Sequence, residues 1–161
     1  MNAYSYEGEP SLRTGTLHVF YEVMSGWDVG VAYSAEEYWR YAYLETMYVN
    51  GANAVEAYYG ATVGDEYKYY GIEYSRDFGA IGSLGDVGAY VGYAEQTAEW
   101  GNITNPYVGA TVGLGNGFEL DARYASMADD EYRYISFGIT REFGAGTTFS
   151  DRGFAGMFPG Y

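Results

Sequence analysis

The feature that most constrains this chain is an alternation of apolar and polar residues with a period of two, sustained over most of its length. Successive side chains of a β-strand point to opposite faces, so this period specifies strands, whereas an amphipathic helix needs a period near 3.6. In 118–124, Phe118, Leu120, Ala122 and Tyr124 fall on one face and Glu119, Asp121 and Arg123 on the other. Residues 107–114 set Val108, Ala110, Val112 and Leu114 against Tyr107, Gly109, Thr111 and Gly113. The same alternation runs through 17–23, 27–33, 55–63, 67–78, 87–93 and 134–143, which gives at least eight strands. Segment 38–49 is ambiguous, because either parity mixes charged with apolar residues.

The turns between these strands fall into two sets. Ser25-Gly26, Asn50 to Asn53, Gly79 to Gly82 and Gly115-Asn116-Gly117 are Gly- and Asn-rich hairpin signals. The others are acidic: Ala35-Glu36-Glu37, Gly64-Asp65-Glu66, Glu95 to Asn102, and Ala128-Asp129-Asp130-Glu131. The sets alternate strictly. In an up-and-down meander alternate turns lie at opposite ends of the sheet, so one end is acidic and the other nearly neutral. The acidic Glu7-Gly8-Glu9-Pro10 fits the first end, which makes residues 2–7 a short opening strand and brings the count to about ten, with 8 or 12 as neighbouring possibilities. Residues 144–161 lose the alternation and read as a tail after a 1–143 barrel.

A meander with one apolar face closes in two ways. A soluble barrel turns the apolar face inward, and a membrane barrel turns it toward lipid with polar residues lining the lumen. The polar face here is rich in glycine and tyrosine: Gly60, Gly71, Gly88, Gly92, Gly109, Gly113 and Gly138 with Tyr58, Tyr69, Tyr90 and Tyr134. A glycine facing water only weakens a strand, whereas in a crowded lumen it makes room for a neighbouring tyrosine. The apolar face carries aliphatics, with Trp27, Tyr33, Phe118 and Tyr124 near strand ends where an interfacial girdle belongs. Lys68, Arg76, Arg133 and Arg141 share that face but also lie near strand ends, within snorkelling reach of the interface. The expected fold is therefore an all-β, antiparallel up-and-down transmembrane β-barrel.

Composition excludes several other classes. The chain has no cysteine, so no disulfide scaffold, and no apolar run long enough for a spanning helix. Its 22 acids against 8 bases give a net charge of −14, and no basic stripe is present to bind nucleic acid. Met1 to Tyr4 show no signal-peptide character, which leaves room for a signal removed earlier.

The segment Tyr134-Ile-Ser-Phe-Gly-Ile-Thr-Arg-Glu-Phe143 resembles the closing strand of Gram-negative outer-membrane β-barrels, which alternates apolar residues and ends in Phe. The preceding hairpin, Gly113 to Tyr124, is similar to those of small porin-like barrels. The resemblance implies a bacterial outer-membrane location, contact with the lipid bilayer and lipopolysaccharide, and Phe143 as part of the girdle and assembly signal. The chain departs from that pattern in running on through 144–161 and in having short turns throughout, which suits a barrel built into a larger assembly.

Catalytic chemistry is nearly absent from the sequence. His18, the only histidine, shares parity with Glu22, but four residues along a strand is about 13 Å, too far for a hydrogen-bonded dyad. There is no phosphate loop and no Cys/His metal set, so neither an enzyme nor a bound cofactor is expected. Asp28, Glu56, Glu73, Asp86, Glu119, Asp121 and Glu142 share the polar parity, against Arg123 and Arg40, so an open lumen would prefer cations. About ten strands enclose a narrow lumen, and tyrosines could equally plug it. Glu36, Glu37, Asp65, Glu66, Asp129, Asp130 and Glu131 would ring one rim, where oxygen ligands suit Ca²⁺ or Mg²⁺, although a solvated rim is the plainer reading. The expected function is a small porin-like channel. The second reading is a non-conducting scaffold barrel that docks a protein partner through Phe149, Phe154, Phe158 and Tyr161 of the tail.

Overall fold

The computed structural model describes residues 2–4, 12–35, 40–64, 67–82, 85–99, 101–127 and 132–141. The alternating segments become strands: β1 (Asn2–Tyr4), β2 (Leu12–Met24), β3 (Trp27–Ala35), β4 (Arg40–Asn50), β5 (Asn53–Thr62), β6 (Tyr67–Ala80), β7 (Asp86–Ala98), β8 (Gly101–Gly115), β9 (Phe118–Met127) and β10 (Tyr132–Arg141). They form one sheet in sequence order, each strand antiparallel to the next. The fold is thus an all-β up-and-down meander of nine long strands preceded by the short β1. Among the described residues the order ends at β1 and β10, and no ladder joins these ends.

The Gly-rich turns follow hairpin chemistry. Asn116 and Gly117 both take positive φ, 54° and 76°, as a two-residue type I′ turn requires. A register shift between Gly113 and Gly115 precedes this turn on the β8 side.

Three sequence expectations need correction. The ambiguous 38–49 segment resolves into β4, which runs on to Asn50 and whose inner face carries Tyr41, Tyr43, Glu45 and Met47. The turn within Glu95 to Asn102 is shorter than expected, because β7 continues to Ala98 and β8 starts at Gly101. A polar run reads as a loop, but here the ladder runs on to Ala98 and Gly101, and Asn102 Nδ2 donates to Glu95 Oε1 at 2.9 Å across it, while Tyr93 Oη donates to Glu95 Oε2 at 2.7 Å along β7. The turn set at Gly79 to Gly82 begins later, since β6 reaches Ala80 across a bulge between Asp77 and Ala80. Of the proposed opening strand 2–7, Asn2–Tyr4 pairs with Leu12 to Thr14, and the rest lies outside the described residues.

Burial sorts the two faces. Leu17, Val19, Val31, Leu44, Ile72, Val91, Val108, Leu120, Ile135 and Ile139 are exposed, while on the other face Gly30, Gly60, Gly71, Gly92 and Gly109 and Tyr41, Tyr58, Tyr69, Tyr90, Tyr107 and Tyr134 are buried or half-buried. A single sheet with no second layer can bury one face only by curling onto itself. Side chains two strands apart do meet on that face: the Tyr41 and Tyr69 rings lie 5.5 Å apart, and Asn105 Nδ2 donates to Tyr134 Oη at 3.2 Å. The polar face is therefore the concave one, and the chain is apolar outside and polar inside.

The inner glycines have a shared role. Gly30, Gly60, Gly71, Gly92 and Gly109 are the direct cross-strand partners of Phe20, Tyr43, Tyr58, Tyr107 and Tyr90. At each of the five, an added Cβ would clash with the partner's ring or its hydroxyl. The rings thus lie along the sheet, over the glycine opposite, so small and large residues interlock along the wall.

Candidate functional site

The inner wall is the surface on which function can be built, and it has two unlike halves. Toward the acidic-loop end, Tyr41, Thr62, Tyr69, Ala94, Gln96, Ile103, Asn105 and Met127 are all buried. Tyr69 and Asn105 are the largest fully enclosed side chains, at 2% and 0% exposure. Edge-on and stacked contacts link Tyr41 to Tyr43 and Tyr69, Tyr43 to Tyr58, and Tyr67 to Tyr69. This half is a packed core.

Toward the Gly-turn end the wall is acidic and open. Asp86 and Glu119 are exposed there, and Asp28 and Asp121 half-buried. Glu22 faces Asp28 across β2 and β3, and Glu56 faces Glu73 across β5 and β6. Like charges directly opposite repel; Glu22 also accepts from the Gly26 N–H of the adjoining turn at 3.4 Å, and Glu73 is buried. The Gly-rich turns are nearly neutral, yet the wall leading from them is carboxylate-rich.

Of the sequence-predicted lining residues, Asp28, Glu56, Asp121 and Arg123 are half-buried on the inner face and Glu73 is buried. Glu142 lies outside the described residues. Arg40 is a correction: it is exposed and shares parity with the outward Ala42 and Leu44, so it does not line the interior. Sequence reading missed Glu45, which shares the inner face with Tyr41, Tyr43 and Met47 and stands opposite Gly30 and Tyr58. It also missed Asn105, whose amide and the Tyr134 hydroxyl exchange contacts of 3.2 and 3.4 Å. The parity of β4 would have revealed Glu45 had that strand been recognised. Nothing local marks Asn105, which lies between the turn expected up to Asn102 and the alternation that starts at Tyr107.

Arg123 is the one basic side chain on the inner face among residues whose side chains are described. Its Nε donates to Tyr90 Oη at 3.3 Å, and that hydroxyl donates to Asp121 Oδ2 at 2.6 Å. Its Cζ lies 4.7 Å from the Tyr107 ring centroid and 5.6 Å from that of Tyr90, within cation–π range.

Among the expected girdle residues, Trp27, Tyr33, Phe118 and Tyr124 are exposed on the outer face, and Phe143 lies outside the described residues. Trp27 Nε1 donates to Thr46 Oγ1 at 2.7 Å, giving its amphipathic ring a polar anchor. The rim acids Glu36, Glu37, Asp65, Glu66, Asp129, Asp130 and Glu131, and the tail with Phe149, Phe154, Phe158 and Tyr161, also lie outside the described residues. Among the described residues no three His, Cys, Asp or Glu side chains gather as metal ligands.

No protein-family profile matches the chain, and no curated protein sequence does. Among solved structures, a porin is similar at 18% identity, with a TM-score of 0.49 over 88% of this chain and 60% of that one. A bacterial polysaccharide outer membrane secretin is similar at 12% identity, with a TM-score of 0.46 over 83% of this chain and 57% of that one. The chain thus spans at most 60% of the length of these two proteins.

Proposed function

We propose that the chain is an outer-membrane β-barrel that acts as a small porin-like channel with a cation-preferring interior. The observation that carries this reading is the inside-out sheet: nine consecutive strands expose aliphatic side chains outward and gather carboxylates and tyrosines inward. Water would penalise so large an apolar surface, whereas a bilayer requires it. A bilayer also requires every backbone polar group to be paired, so in lipid the β10 edge closes against the β1–β2 end. The carboxylates of the Gly-turn half would concentrate cations at one mouth. In this reading the Gly-turn end faces the periplasm, and the acidic loops face outward, where they can meet lipopolysaccharide and its divalent cations.

The packed tyrosine half favours a second reading, in which the barrel does not conduct and serves as a scaffold docking a partner through residues 144–161. Refolded protein recorded in a planar bilayer under a KCl gradient separates the two, with a heat-modifiable gel band reporting folding. Discrete steps with a cation-selective reversal potential, weakened in Glu119→Gln/Asp121→Asn, support the channel. Silent insertion of a folded barrel supports the scaffold, as does loss of a co-purifying partner when 144–161 are deleted. A chain that stays monodisperse without detergent overturns both.

A further inference from the structure

A guanidinium held inside a carboxylate-rich wall calls for an account of what its seat is built from. Tyr90 and Tyr107 lie on neighbouring strands and are locked reciprocally: the Tyr90 ring lies over Gly109 of β8 and the Tyr107 ring over Gly92 of β7. The rings meet edge to face at 6.1 Å. Their positions are therefore set by the β7–β8 register and two glycines. Arg123 reaches the pair from β9, where its backbone partner is Gly109. With no Cβ at 109, the Tyr90 phenol extends across β8 to reach both Arg123 and Asp121. The seat combines two aromatic rings, a hydroxyl oxygen that accepts from the guanidinium, and a carboxylate one hydrogen bond behind it. The two rings are held over their glycines by strands other than the one that carries Arg123.

We infer that Tyr90, Tyr107 and Asp121 form a preformed binding site for guanidinium-type and other small organic cations, which Arg123 occupies as a tethered ligand. The Tyr90 and Tyr107 rings are buried beneath the half-buried Arg123, and the inference rests on the reading of the inner wall as a lumen that small solutes can enter. Aromatic rings backed by a carboxylate suit a weakly hydrated, delocalised cation better than Na⁺, which keeps its water. Arg123 is then a specificity-determining residue: tethered in the seat, it excludes free cations from it, and a cation crossing the lumen must displace it or pass beside it.

The test is chemical rescue of Arg123→Ala. The folded protein is titrated with methylguanidinium at millimolar concentrations, with NaCl at matched ionic strength as control, and the thermal midpoint is read from the heat-modifiable band. Emptying the seat should lower the midpoint by about 4 °C. Methylguanidinium should restore at least half of that loss, NaCl should not, and the wild-type chain should not respond. Adding Tyr107→Leu to Arg123→Ala should abolish the rescue. Arg123→Gln, which keeps a polar side chain of similar reach, serves for the same titration if the alanine variant does not fold. Equal effects of methylguanidinium and NaCl, or an equal response of the wild-type chain, would overturn the assignment. This readout does not require conduction, so a silent bilayer defeats the channel reading and leaves the site standing. If the channel conducts, Arg123→Ala should also pass more current, and methylguanidinium should block that added current.

Discussion

The two halves of the inner wall are made by the same strands and follow opposite rules. Near the acidic loops, the face pointing inward carries tyrosine, isoleucine, methionine and amide side chains, and these are enclosed as in a protein core. Near the Gly-rich turns, the same face carries Glu22, Asp28, Asp77, Asp86, Glu119 and Asp121, and most of these reach solvent. Closely packed interiors resist change in volume, and open charged walls tolerate it. Enclosed packing belongs to the tyrosine half, and the proposed ion contact falls to the carboxylate half. Charge on the loops does not predict charge on the wall beneath them.

Substitutions should divide along that line. The largest effect is expected at Tyr69, where alanine removes an enclosed ring that touches Tyr41 and Tyr67. A loss of about 3–5 kcal/mol in urea unfolding of the refolded protein fits a buried aromatic. If the tyrosines are what narrows the lumen, the variant should also raise conductance. Gly92→Ala comes next. Its Cβ would enter the Tyr107 ring, and overpacking of this kind costs about 1–3 kcal/mol. Gly138 is the matched control, because an alanine Cβ there meets only Asp121 Cβ at 3.8 Å; Gly138→Ala should change stability by less than about 0.5 kcal/mol. Equal losses at Gly92 and Gly138 would erase the distinction between interlocked and open wall.

Asp121→Asn sharpens the other side of the comparison. The amide keeps a partner for Tyr90 but removes a charge, so a fall of about 1 kcal/mol or less in stability is expected. The reversal potential in a KCl gradient should shift toward zero. A large stability loss with unchanged selectivity would make Asp121 a structural acid.

Much of this arrangement was legible before any coordinates. The alternation placed the strands, and the two kinds of turn gave the order of the meander. The excess of glycine and tyrosine on the polar parity pointed to the concave face. What stayed hidden depends on register, which is set between strands and cannot be read along one of them. Tyr107 and Gly92 are both visible in the sequence, but that one covers the other follows only from their pairing across β7 and β8. The same holds for Arg123, whose contact with Tyr90 spans a strand that contributes nothing there but the missing side chain of Gly109. Strand β4 stayed ambiguous because each parity mixes charge with apolar residues, Glu45 with Met47 on one face and Arg40 with Ala42 and Leu44 on the other. The strand ends within Glu95 to Asn102 escaped because they are polar, although Asn102 Nδ2 donates to Glu95 Oε1 across the hairpin and the backbone pairs as sheet.

The central claim is the direction of the two faces, and the absence of cysteine allows it to be tested without background. Single cysteines at Val91, Val108, Leu120 and Ile135, and at Gly88, Thr111, Asp121 and Ser136, would be labelled with an environment-sensitive fluorophore in refolded protein. Brominated lipid and aqueous iodide then compete as quenchers. The account predicts that the first four labels are quenched by lipid and the second four by iodide, switching with every residue step along a strand. Labels at Val108 and Leu120 quenched by iodide, with Thr111 and Asp121 shielded from it, would place the apolar face inside and contradict the account.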